Sequence, residues 1–71
     1  MERNVIPRKF VEIIAECQVQ GVCNVAGDKV RITRESSYGL VAENLRTGEK
    51  CYVFLEMLRN PQFYKIIEIK K

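Results

Sequence analysis

The sequence contains no histidine and no tryptophan among its 71 residues. Histidine is the commonest general base near neutral pH and a common metal ligand, so its absence excludes Ser–His and Cys–His nucleophilic pairs. A groove for proline-rich peptides needs an aromatic lining, and the lack of tryptophan argues against that binding mode. We therefore predict a protein that is not an enzyme and that needs no cofactor and no metal.

Long apolar runs are also missing. No stretch approaches the roughly 18 apolar residues that a transmembrane helix needs. The first ten residues, MERNVIPRKF, lack the apolar segment of a signal peptide. These features predict a cytoplasmic protein without a membrane contact, and nothing in the sequence points to a small-molecule substrate.

The three cysteines, Cys17, Cys23 and Cys51, are few and unevenly spaced. An odd number without a signal peptide argues against a disulfide framework. Structural zinc sites have four ligands, usually paired two to four residues apart, and this spacing does not match them. Cys17 and Cys51 are expected to be buried as small apolar side chains, and Cys23 to be the most reactive. A metal or redox protein based on these cysteines is the third functional hypothesis.

The amino-acid composition is that of one small globular domain over residues 1–71. Apolar residues make up 46% of the chain and charged residues 30%, which supports a core and a soluble surface. The net charge of +3 is only mildly basic. It permits contact with a polyanion but does not require it.

In residues 10–19 every odd position is apolar, namely Val11, Ile13, Ala15, Cys17 and Val19, whereas the even positions include Glu12, Glu16 and Gln18. This period of two predicts a β-strand. Phe10, Ile13, Ile14 and Cys17 also lie at helical spacing, so a helix over residues 8–18 packed on a sheet is the alternative.

Shorter segments of strand character follow at residues 28–34, 40–45, 50–55 and 63–69. Residues 46–49 predict a tight hairpin with Gly48 at a positive φ, and residues 55–60 predict one helical turn before Pro61. We predict a mainly β fold, a small antiparallel five-stranded barrel, because closure would remove the exposed sheet edges.

The segment from Gly27 to Val53 resembles the KOW-type members of the Src-homology-type small barrels. The matching parts are the start Gly27-Asp28-x-Val30-x-Ile32, the later Gly39-Leu40-Val41 and the Thr47-Gly48 hairpin. The resemblance implies the same small barrel fold.

Basic and aromatic residues in the middle of the chain give the leading functional hypothesis, a non-enzymatic module that binds RNA or DNA. Arginine and lysine hold phosphates, and a nearby tyrosine can stack on a base. The candidate residues, expected on one exposed sheet face, are Lys29, Arg31, Arg34, Tyr38, Arg46 and Lys50.

The alternative hypothesis is a protein–protein adaptor or small homodimer. Aromatic residues near the C-terminus, Tyr52, Phe54, Phe63 and Tyr64, are expected to share the core. Residues 53–58 nevertheless carry more apolar side chains than one turn can bury, and an exposed apolar patch usually contacts a partner. The candidate interface residues are Phe54, Met57, Leu58 and Tyr64.

Overall fold

The computed structural model of the chain describes residues 2–36 and 39–71 and contains five strands and one short helix. In chain order these are β1 (Glu12–Cys17), β2 (Lys29–Ser36), β3 (Gly39–Asn44), β4 (Lys50–Val53), α1 (Leu55–Arg59) and β5 (Tyr64–Lys70). The predicted mainly β fold, with five antiparallel strands and one helical turn, is confirmed.

The first element is a strand, so the alternative of a helix over residues 8–18 is wrong. Along β1 the side chains of Ile13, Ala15 and Cys17 are buried, whereas those between them are partly exposed. In a helix, Ala15 would face away from the other two. Only an extended chain brings all three side chains to one core.

The five strands form one antiparallel sheet in the order β4-β3-β2-β1-β5. Within the described residues, β4 pairs only with β3 and β5 pairs only with β1, so both are edge strands. The sheet is open, and the predicted closure into a barrel is not confirmed. Phe10 from the N-terminal segment and Leu58 from α1 cover the core in place of further strand pairing.

The core lies on one face of the sheet. Its buried apolar side chains are Phe10, Ile13, Ala15, Cys17, Val30, Ile32, Leu40, Ala42, Val53, Leu58 and Tyr64. We call the opposite face the outer face. The side chains in its register include Glu12, Ile14, Glu16, Lys29, Arg31, Thr33, Val41, Glu43, Lys50, Tyr52, Lys65 and Lys70.

Two connections turn at glycines with positive φ, which residues with a side chain rarely adopt. Gly48 (φ 81°) lies in the β3–β4 hairpin, as predicted, and its N–H donates to the Asn44 carbonyl at 2.7 Å. Gly27 (φ 94°) lies near the end of the connection between β1 and β2, residues 18–28, which we call loop 18–28. Its N–H donates to the Cys17 carbonyl at 2.8 Å.

The helix α1 carries the chain from β4 to β5. It begins after Phe54, and Leu58 is its one buried side chain. In the part of the chain that the structure describes, no helix is long and apolar enough to cross a membrane.

Candidate interaction surface

The residues predicted to bind nucleic acid do not form one surface. Lys29, Arg31 and Lys50 lie on the outer face, as predicted. Tyr38 lies outside the described residues. The two remaining arginines leave this face, and each is bound elsewhere.

Arg31 is held between two glutamates on the outer face. Its Nε lies 2.8 Å from Glu12 Oε1, and its Nη1 lies 3.3 Å from Glu43 Oε1. Lys70 Nζ lies 3.2 Å from the second carboxylate oxygen of Glu12. Each of these cations is therefore already offset by a carboxylate of the same sheet.

The strand registers continue this pattern of opposite charges. Lys29 lies opposite Glu16, and Lys50 lies opposite Glu43. Oppositely charged pairs across neighbouring strands stabilise a sheet by a few tenths of a kcal/mol to about 1 kcal/mol each. The outer face thus alternates in charge, and it is not a uniformly basic surface.

Arg34 belongs to the core side of β2, because it lies an even number of residues from the buried Ile32. Its guanidinium stacks 4.3 Å from the centre of the Phe10 ring, and its Nη2 donates to the Arg8 carbonyl at 2.7 Å. Arg34 therefore fastens the N-terminal segment over the core.

Arg46 binds a buried carboxylate with two hydrogen bonds. Its Nε donates to Asp28 Oδ1 at 2.8 Å, and its Nη2 donates to Oδ2 at 3.0 Å. Asp28 also accepts from the Val25 N–H at 3.0 Å and from the Asn44 amide at 2.9 Å. These hydrogen bonds hold the pKa of Asp28 well below its usual range, and the bond from Arg46 has the largest effect. Asp28 in turn raises the pKa of Arg46.

Asn44 ties the β3–β4 hairpin to loop 18–28. Its side-chain amide donates both to Asp28 and to the Cys23 carbonyl, the latter at 3.0 Å. Its oxygen accepts from the N–H groups of Arg46 and Thr47, at 2.7 and 3.1 Å. Because Asn44 is buried and both polar atoms of its side chain are bonded, it fixes the loop against the end of the sheet.

A covalent bond fastens the same loop. Cys23 and Cys51 form a disulfide between loop 18–28 and β4, with their Cα atoms 6.4 Å apart. The prediction against a disulfide is therefore wrong: the odd cysteine, Cys17, is buried in the core, and the other two are paired. Burial raises the pKa of the Cys17 thiol. Across residues 2–36 and 39–71, no three cysteine, aspartate or glutamate side chains are grouped so that they could hold a metal ion.

Exposed apolar side chains border β4 where the loop meets it. We call Val22, Tyr52, Phe54 and Met57 the apolar rim; their exposed fractions are 99%, 82%, 77% and 38%. Val22, Tyr52 and Met57 line one cleft of about 120 Å³. A second cleft of about 120 Å³ adjoins it at Met57 and reaches Tyr64.

The predicted interface residues divide between this rim and the core. Phe54 and Met57 are exposed, but Leu58 and Tyr64 are buried, and burial raises the pKa of the Tyr64 hydroxyl. Leu58 and Tyr64 are therefore not on the surface, whereas Tyr52, which was expected in the core, is exposed.

Among residues 2–36 and 39–71, no strand pairs with the side of β4 away from β3, where the Cys23 sulfur lies 3.9 Å from the Lys50 carbonyl. The Asn44 N–H donates to the Glu49 carbonyl at 2.8 Å, which makes these two residues a bonded pair. Bonded pairs alternate along an antiparallel ladder, so Cys51 is bonded to β3. The N–H and C=O groups of Lys50 and Tyr52 consequently point away from the sheet.

A third cleft, of about 320 Å³, lies between the N-terminal segment and α1. Its charged side chains mostly neutralise one another. Glu56 pairs with Arg3 at 3.5 Å and with Arg59 at 3.2 Å. These are exposed ion pairs of the kind that contribute little to stability, and they single out no ligand.

Two features of this surface that the sequence analysis does not predict, the buried Asn44 and the exposed Tyr52, nevertheless have signals in the sequence. Asn44 falls in the buried register of Leu40 and Ala42, so a polar side chain there indicates a buried hydrogen-bond network. Tyr52 falls between Cys51 and Val53, so with those two inward it must point outward. The Cys23–Cys51 pair has no such local signal, because loop 18–28 has no period that fixes its path.

No protein-family model, curated protein or solved structure matches this chain. The function must therefore be argued from the chain's own residues.

Proposed function

We propose that this chain is a non-enzymatic protein-interaction module that pairs with a second copy of itself through the free side of β4. The observation that carries this proposal is the apolar rim beside an unpaired strand edge. Contiguous exposed apolar side chains usually mark a binding surface. Unpaired edge groups pair readily with another strand.

The sequence of β4 suits pairing with itself. If two β4 strands pair antiparallel about a two-fold axis at Tyr52, Tyr52 faces Tyr52 of the second copy, and Lys50 faces its Phe54. No like charges are then opposed, and a lysine against an aromatic ring is favourable. The free N–H and C=O groups of Tyr52 would bond to each other across the axis.

The area of the rim fits a weak dimer. Two aromatic side chains would bury roughly 300 Å² or more per copy, against about 800 Å² per partner in a standard interface. Val22 and Met57 add to this area. We therefore expect a dissociation constant of the order of micromolar.

Contact with RNA or DNA stays a prediction from the sequence. Lys29 and Lys50 would be its main residues, because Arg31, Arg34 and Arg46 are already engaged within the chain. Binding of short labelled RNA or DNA that weakens steeply with salt would support it. A cytoplasmic location and a Src-homology-like barrel likewise stay predictions.

Sedimentation equilibrium of the oxidised chain tests the proposal. We expect a reversible monomer–dimer equilibrium that salt changes little. Tyr52→Lys should weaken it about tenfold or more, because it places two cations at the axis. The matched control is Ile67→Lys, which likewise introduces a lysine at an exposed residue, but on the other edge strand. A monomer at all concentrations, or equal effects of both variants, would overturn the proposal.

A further inference from the structure

We propose that the Cys23–Cys51 disulfide is a thiol–disulfide exchange site for dithiol reductants, and that its oxidation state sets the affinity of the apolar rim for a second copy. This inference rests on the proposed function, because the rim is the surface whose affinity changes. Dimerisation through β4 does not by itself give Cys23 and Cys51 a chemical role.

The disulfide lies beside the rim, on the core side of β4, whereas the Tyr52 side chain lies on the outer face. Cys23 follows Val22 directly, and Cys51 precedes Tyr52 directly, so the two most exposed rim residues flank the two bonded cysteines. The bond therefore holds the segment next to Val22 against the backbone of β4. After its reduction, the covalent restraint on this segment is gone, and the hydrogen bond from Asn44 to the Cys23 carbonyl remains.

The Cys23–Cys51 disulfide is accessible to a reductant, and the buried Cys17 does not take part in the exchange. Both cysteines are only partly buried, and both line the cleft beside Tyr52. The third cysteine, Cys17, is 1% exposed, and burial raises the pKa of its thiol. A thiolate is the reactive form, so Cys17 does not compete in the exchange.

The exchange balances with a dithiol as co-reactant. A reductant thiolate attacks one protein sulfur, forms a mixed disulfide and releases the other cysteine as a thiolate. The second reductant thiol then attacks the mixed disulfide, closes the reductant's own disulfide and releases the second cysteine. Two electrons and two protons pass from the reductant to Cys23 and Cys51.

The surrounding hydrogen bonds make the change reversible. Asn44 holds the Cys23 carbonyl at 3.0 Å, and Asp28 holds the Val25 N–H at 3.0 Å, neither through a sulfur atom. Neither Cys23 nor Cys51 belongs to the core cluster. We therefore expect the reduced chain to stay folded, although less stable than the oxidised chain, and to keep the two thiols near each other for reoxidation.

Reduction lowers affinity because it removes the covalent link between β4 and the residue next to Val22, so the exposed Val22 must be ordered again on binding. Each flexible residue that an interface immobilises reduces the affinity, and a fixed loop avoids this loss. We expect the dissociation constant of the dimer to rise about tenfold on reduction.

Sedimentation equilibrium of the whole chain, with and without dithiothreitol, tests the inference. Cys51→Ser and Cys23→Ser should each match the reduced protein and should no longer respond to dithiothreitol. Far-UV circular dichroism checks that each variant is folded. N-ethylmaleimide labelling followed by mass spectrometry should find no reactive thiol in the native oxidised chain and two after reduction.

The outcomes separate this inference from the proposed function. Equal dimerisation of the oxidised and reduced chains overturns the switch and leaves the dimer standing. A monomer in both states overturns both. Labelling of Cys23 and Cys51 without any reductant overturns the exchange site, whatever the state of association.

Discussion

The two edge strands of the sheet differ in how they are shielded. β5 carries a bulge, where Ile14 and Ala15 pair with Glu68 and Ile66 and leave Ile67 between them. It also carries Lys65 and Lys70, and lysines and bulges both discourage pairing with another strand. The Asn4 side chain further caps this edge by donating to the Tyr64 carbonyl at 2.8 Å.

β4 has the opposite character. No register shift interrupts its pairing with β3, and its outward residue Tyr52 is aromatic. Its neighbour Phe54 is also exposed, and Val22 is held beside it by a disulfide and a buried polar network. The same sheet therefore has one protected edge and one edge that is suited to pairing.

Loss of the disulfide should have the largest effect on stability, because this bond links loop 18–28 covalently to β4. Closing a loop with a sequence separation of 28 residues stabilises a fold by about 3 kcal/mol. We expect Cys51→Ser to lower the melting temperature by roughly 10 to 25 °C. Thermal unfolding followed by circular dichroism measures this, with dithiothreitol-treated wild type as the control. A change below a few degrees would mean that the bond does not restrain this side.

Asn4→Ala should give the next largest effect, now on the β5 side. The Asn4 amide donates to the carbonyls of Leu58 and Tyr64 at 2.9 and 2.8 Å. Loss of both bonds should lower the free energy of unfolding by about 1 to 2 kcal/mol. Urea unfolding measures this, and Asn24→Ala is a control in the exposed loop. If Asn4→Ala instead promotes dimerisation, its cap is what keeps the β5 edge unpaired.

Asp28→Asn should have a smaller effect that depends on pH. The pKa of Asp28 is lower in the folded chain than its unfolded value of about 3.9, so its ionisation stabilises the fold fully above that value. This contribution is lost as the pH falls through the folded pKa. We expect wild type to exceed the variant in stability by a constant amount from neutral pH to about 5, and the difference to shrink below about 4. Urea unfolding across pH checks this, and an unchanged difference in acid would contradict it.

Tyr52→Lys and Ile67→Lys should have the smallest effect on the monomer. Both side chains are well exposed, so each change should alter the free energy of unfolding by less than about 0.5 kcal/mol. Urea unfolding at a concentration below the dimer range measures this. A large decrease in the free energy of unfolding of Tyr52→Lys would show that Tyr52 stabilises the fold itself. The effect of this change on association would then be indirect.

Local patterns predict much of the fold here. The alternation of Ile13, Ala15 and Cys17 predicts β1, and Gly48 predicts the hairpin with its positive φ, because both depend on neighbouring residues. The charge partners of the arginines depend on strand register and on loop 18–28, and the sequence alone, which shows neither, predicts a nucleic-acid surface that includes Arg31 and Arg46. The disulfide depends on the same loop, and spacing along the chain carries no signal for it.

Amide hydrogen exchange at Tyr52, followed by NMR at rising concentrations of the oxidised chain, tests the β4 edge most directly. Its N–H points away from β3, and within the described ranges 2–36 and 39–71 no other strand pairs with β4. We predict that its protection rises with concentration as the dimer forms, while protection along β5 stays constant. Protection at Tyr52 that does not depend on concentration, or that rises along β5 instead, would contradict pairing through β4.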